Sequence, residues 1–129
     1  MIVLMGLITY FVLSNVMLTY KNGVYNHINK LYMTFLMMAT MGLTEGIVNN
    51  NKAMMFISVS LMAVLVILIR NQILVDDRQF AKGMIEHHDM ALLMASKIKD
   101  KTKNPEVKKL AENILSTQQS EIDLMKTWI

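Results

Sequence analysis

Cysteine is absent from the 129-residue chain. A disulfide framework, a thiolate metal site and a cysteine nucleophile are all excluded. Charge is scarce over the first 70 residues, which carry four basic side chains (Lys21, Lys30, Lys52, Arg70) and one acid, Glu45. The remaining 59 residues hold nine basic and nine acidic side chains. The whole net charge of +3 therefore sits in the apolar half, and the charged half has no net positive field. That distribution argues against a nucleic-acid module. With 53% hydrophobic residues and a mean hydropathy of +0.36, it also argues against disorder and against a simple soluble globule. No nucleophile–base pair, phosphate loop or carboxylate dyad is recognisable, so the chain does not read as an enzyme. No internal repeat is evident.

What is present is a set of long apolar runs. Residues 1–20 carry no charged side chain, and a helix of that length would be ~30 Å long, one hydrocarbon core. The stretch lacks the basic start and the small-x-small site of a cleaved signal peptide. Residues 31–48 form a second run, interrupted only by Glu45, and residues 53–69 a third, ending at Arg70. The expectation is an all-α chain. A membrane domain over 1–70 has transmembrane helices at about 1–20, 31–48 and 53–70. A second domain follows over 71–129. Lys21, Lys30, Arg70, Arg78 and Lys82 would share one side of the bilayer, against Lys52 on the other. By the positive-inside rule the protein is a multi-pass integral membrane protein, in contact with membrane lipid, with its C-terminal half in the cytoplasm.

From Asp76 onward the pattern becomes amphipathic. Phe80, Met84, Ala91, Met94, Ala95 and Ile98 recur at helical spacing, with an aspartate at the start and Lys97, Lys99 and Lys101 at the end. Asn104 and the only proline, Pro105, read as the cap and first residue of a last helix. Its stripe is Val107, Leu110, Ala111, Ile114, Gln118, Ile122, Met125 and Ile129. Two helices joined by a few residues make an antiparallel hairpin. So small a core is insecure alone. The hairpin is expected to pair with a second copy into a four-helix bundle, or to dock on the membrane part.

Of 14 methionines, ten precede residue 71, where flexible apolar side chains need no special reason. Three others flank a histidine pair in Met84-Ile85-Glu86-His87-His88-Asp89-Met90 and Met94. Met84 and His88 are an i, i+4 pair. His87, Met90 and Met94 form an i, i+3, i+7 ridge. Thioether and imidazole donors suit copper(I), or silver(I) as its mimic, and not magnesium or calcium. No Glu-x-x-His and no His-Glu-x-x-His occurs, so di-iron and zincin readings are poor. A ligating histidine needs a partner for its other ring nitrogen. Gln118 and Glu121, beside Met125 on the last helix, could serve there or ligate directly, and Glu86 adds an oxygen donor. The competing reading makes the methionines core filler and the histidines a solvated pair. In the second span Met33, Met37, Met41 and Glu45 recur every four residues, and an intramembrane acid is a functional candidate. His27, between the first two runs, reads as a solvated loop residue.

Residues 76–129 resemble the family called domain of unknown function 305, a ferritin-like helical family. The resemblance rests on Asp77, Phe80, Gly83-Met84-Ile85, His87-His88, Met90-Ala91, Met94-Ala95, Asn104-Pro105-Glu106-Val107-Lys108, Thr117-Gln118, Glu121-Ile122 and Met125-Lys126. Tyr32-Met33, Leu36-Met37, Met41, Glu45, Ile69-Arg70 and Gln72 are similar to its membrane-anchored branch. The resemblance implies copper or silver binding through Met84, His87, His88, Met90 and Met94, and a link to copper resistance. Glu86 stands where that family commonly has proline. Two functions are thus expected to compete. One is a membrane-anchored copper(I)-binding protein for sequestration, tolerance or handover. The other is a non-metal, membrane-anchored helical module that self-associates.

Overall fold

A computed structural model describes all 129 residues. The chain is all-helical: α1 Ile2–Phe11, a short 3-10 turn Leu13–Asn15, α2 Ile28–Val48, α3 Lys52–Arg70, α4 Asp77–Lys101 and α5 Pro105–Lys126. It divides into two compact units. One comprises Met1–Val16 with Ile28–Val75, the other Met17–His27 with Asp76–Ile129.

In the first unit α2 and α3 pack on each other, and α1 packs on α2. Asn51 caps α3 by accepting from the Met54 N–H. Gly42 lets α2 approach α3 closely, since a Cβ there would lie 2.8 Å from the Ser58 hydroxyl. The two helices are long and apolar enough to cross a membrane. The expected span over 1–20 is not a single helix. α1 stops after ten residues, ~15 Å, half a hydrocarbon core. The polar pair Ser14-Asn15 ends it. Ser14 Oγ donates to the Tyr10 carbonyl and Asn15 Nδ2 to the Phe11 carbonyl, side-chain bonds that compete with helix continuation. Asn15 Oδ1 then accepts from the buried Lys30 ammonium at 2.5 Å, with the Tyr10 ring 5.8 Å away. Two candidate spans thus replace three. α2 also begins earlier than expected, taking in Lys30.

Along the second span, Met33 and Met37 are exposed, whereas Met41 and Glu45 are half-buried. The methionine row thus turns mostly away from the neighbouring helices.

In the second unit α4 and α5 pack along each other. Asp76 caps α4 by accepting from the Gln79 N–H at 2.7 Å. Asn104 caps α5 by accepting from the Glu106 N–H at 2.9 Å, with Pro105 in the first turn. The core is small: Ala81, Ile85, Leu92, Ile122 and Met125, with Tyr25, Met84, Leu115 and Ile129 against it. Tyr25 comes from far upstream, because residues 17–27 run as an irregular strap over this helix pair.

Candidate functional site

The strap is tied to α4 by two carboxylates one turn apart. Asp89 is fully buried (0% exposed). It accepts from Thr19 N–H at 2.6 Å, Thr19 Oγ1 at 2.5 Å and Asn22 Nδ2 at 2.8 Å. Three donors are what a carboxylate needs to stay buried without large cost. Asn22 passes the network on to α5, its Oδ1 accepting from Gln119 Nε2 at 3.3 Å and Lys126 Nζ at 3.0 Å. Glu86 accepts from the Tyr25 N–H at 2.6 Å, and its other oxygen lies 3.2 Å from His27 Nε2. The His27 ring lies on Gly83, where a Cβ would come within 3.2 Å of Nδ1. Gly23, at φ 96°, supplies the left-handed turn that brings the strap round.

On another side of α4, His88 meets α5. Its Nε2 lies 2.7 Å from Glu121 Oε2, and the histidine is 8% exposed. A carboxylate only accepts, so in the neutral imidazole the proton sits on Nε2 and Nδ1 presents its lone pair. That Nδ1 is buried and has no hydrogen-bond partner. Met84, one helical turn earlier, is half-buried against the core.

The remaining residues singled out by the spacing are dispersed. His87 is exposed, its ring centroid 6.3 Å from that of His88. Met90 is half-buried and Met94 is 59% exposed. Gln118 is half-buried, and Met125 is in the core. Glu86, expected as an extra donor beside the histidines, instead faces the strap. His27 is not the solvated loop residue expected: it is half-buried against Glu86 and Gly83. No group of three or more His, Cys, Asp or Glu side chains is placed to hold a metal ion. The spacing also passed over Asp89, Thr19 and Asn22. The signal available was a pair of carboxylates, Glu86 and Asp89, flanking the buried Ile85 and Leu92 with no expected partner.

The chain belongs to the family described as domain of unknown function (DUF305), whose model matches residues 62–129. That match begins inside α3 and covers α4 and α5, leaving the strap outside it. The chain is also similar to the uncharacterized protein L153 of Acanthamoeba polyphaga mimivirus. The two are 36% identical over 106 residues, which span 78% of this chain and 70% of that protein. No solved structure matches.

Proposed function

We propose that this is a membrane-anchored protein that binds a soft metal ion, copper(I) or its mimic silver(I), for sequestration, tolerance or handover, with His88 as the leading donor. One observation carries the reading: His88 has Nε2 engaged by Glu121 while Nδ1 is buried and unpartnered. A metal-ligating histidine has this arrangement, one ring nitrogen fixed by a carboxylate and the other directed at the ion. An unpaired buried nitrogen otherwise costs stability. Met84 supplies a thioether on the same helical row, and His87, Met90 and Met94 lie further round α4. Thioether and imidazole donors together favour a soft, low-charge ion. The metal is cargo, and no reaction is assigned.

In this reading α2 and α3 are the membrane anchor. An antiparallel pair places the residues just before Ile28 and just after Arg70 on one side, which fits a unit built from Met17–His27 and Asp76–Ile129. That side carries Lys21, Lys30, Arg70, Arg78 and Lys82, so the positive-inside rule makes it cytoplasmic. α4 and α5 are then an antiparallel hairpin, half of a ferritin-like four-helix bundle.

The test is copper(I) titration of the full chain in detergent, under reducing conditions and against a competing chelator. Wild type takes up copper(I). His88→Ala abolishes uptake, and Glu121→Gln weakens it ~10–100-fold, the usual effect of losing a histidine's outer partner. A wild type that takes up none overturns the reading. The second reading, a self-associating module without metal, draws on the exposed apolar residues of α4 and α5, Met94 and Leu110 among them.

A further inference from the structure

Charge in the second half of the chain cancels in sum and not in place. Residues 97–109 hold six lysines (Lys97, Lys99, Lys101, Lys103, Lys108, Lys109) against Asp100 and Glu106, a local net charge of +4. The rest of residues 71–129 holds three basic side chains against seven acidic ones, a net charge of −4. The six lysines surround the turn between α4 and α5. Five are exposed and Lys99 is half-buried, and none pairs with a carboxylate. The hairpin is thus basic at its turn and acidic along the remainder.

Helix electrostatics accounts for part of this. Lys99 and Lys101 lie in the last turn of α4, where the macrodipole favours cations, with Lys97 just before them. Lys103 lies between the helices. Lys108 and Lys109 follow the first turn of α5, an end that favours acids. The dipole gives no reason for these three.

Apolar side chains are interleaved with the charge. Met94, Lys97, Ile98 and Lys101 fall at i, i+3, i+4 and i+7, on one face of α4, and all four are exposed. On α5 Val107 and Leu110 are exposed at i and i+3, with Lys108 and Lys109 between them in sequence. The strap does not cover this end. Its nearest anchors are Asp89, ~12 Å along α4 before Lys97, and Gln119, ~15 Å along α5 after Lys109.

Composition selects the partner. Residues 90–115 contain no arginine and no aromatic side chain. Nucleic acids are gripped by base-stacking aromatics and bidentate arginines, and phosphopeptides by arginine clusters. Lysine, a point charge on an apolar stem, suits diffuse negative charge lying over hydrocarbon, above all with exposed aliphatic neighbours. Clusters of about four to eight basic side chains on an amphipathic helix mark anionic-lipid binding, and each lysine at such a surface strengthens it ~5-fold. A membrane anchor holds the turn at a high effective concentration beside its own bilayer, so a weak contact suffices.

We propose that the α4–α5 turn docks on the anionic phospholipid surface of the membrane that anchors the chain, with its lysines on the headgroups and Ile98, Val107 and Leu110 in the interface. The inference rests on the anchor reading above and is independent of the metal. The acidic remainder of the hairpin is repelled by the same surface, which selects the turn as the end that docks.

The test uses the full chain, one copy per lipid nanodisc, in phosphatidylcholine alone or mixed with phosphatidylserine. The chain has no cysteine, so Leu110→Cys carries a single environment-sensitive fluorophore, and Ser120→Cys, exposed further along α5, carries the same label as control. The Leu110 label shifts to the blue only in discs with phosphatidylserine, and added salt reverses the shift. The Ser120 label does not move. Lys103→Glu, Lys108→Glu and Lys109→Glu together abolish the shift without changing the helical melt, whereas arginine at the three positions retains it.

A Leu110 label that responds alike in both discs, or whose shift survives the charge reversal, overturns the proposal. So does a response to an added single-stranded oligonucleotide with none to phosphatidylserine, which would make the turn a nucleic-acid surface. A shift seen only when a disc holds two copies, whatever its lipid, assigns the turn to a second copy and equally overturns it. A chain washed from the discs at alkaline pH overturns the anchor reading instead. Its cosedimentation with phosphatidylserine vesicles then decides the turn: binding lost on charge reversal retains the lipid surface, and no binding sinks both.

Discussion

The two units differ in how far along the chain their buried polar side chains find partners. Within the long helices of the first unit, hydroxyls turn back onto their own backbone. Thr34 donates to the Lys30 carbonyl, Thr40 to Met37 and Thr44 to Thr40. Such bonds need no partner from elsewhere in the chain, which suits helices long and apolar enough to cross a membrane. In the second unit the decisive bonds span great sequence distances: Thr19 to Asp89, Tyr25 to Glu86, Lys126 to Asn22. Local satisfaction leaves helix packing to set the first unit's stability. Long-range satisfaction makes the second unit depend on a few buried groups.

The largest expected effect follows from that dependence. Asp89→Ala strands the Thr19 and Asn22 donors and should cost ~1–3 kcal/mol for each buried donor left unpaired. In detergent, the thermal transition of α4 and α5 should fall steeply, and residues 17–27 should become open to protease while α2 and α3 stay protected. A variant that melts like wild type would mean the strap is incidental and the contrast between units is false.

Packing should dominate in the first unit. Gly42→Val forces α2 from α3 at Ser58 and should cost ~1–3 kcal/mol by overpacking. Unfolding of the detergent-solubilised chain in denaturant measures it, and no change would show that the helices can slide apart freely.

The smallest effect belongs to Thr44→Ala, which removes one self-satisfied hydroxyl and should stay within ~0.5 kcal/mol in the same assay. A larger loss would reveal a partner for that hydroxyl beyond its own helix.

Much of the helical layout is legible in the residues. Asp76 and the Asn104-Pro105 pair mark the starts of α4 and α5 through local capping chemistry. The apolar run ending at Arg70 marks α3. Glu121 stands out as a carboxylate on an apolar row, and the structure gives it to His88. The early end of α1 was less visible. Ser14 and Asn15 are uncharged and pass within a hydrophobic count, yet their side chains bond the preceding turn. The strap was least visible. Thr19, Asn22 and Tyr25 follow no periodicity, and their partners are about 60 to 70 residues away. For the same reason Glu86 and Asp89 read as part of a polar face although both are buried.

The strap's position in the chain also sets a timetable. Thr19 is synthesised 70 residues before Asp89. At ~5–20 residues per second, that is a wait of several seconds on the ribosome. A loop this long would be entropically slow to close as free coil. The intervening residues are not free coil once α2 and α3 have paired. The Asn29–Gln72 side-chain bond and the bond from Tyr32 Oη to the Ile73 carbonyl join the chain's exit from α3 to its entry into α2. Pairing of α2 with α3 thereby shortens the search, and the second unit is completed only when residues 76–129 reach a strap made long before them.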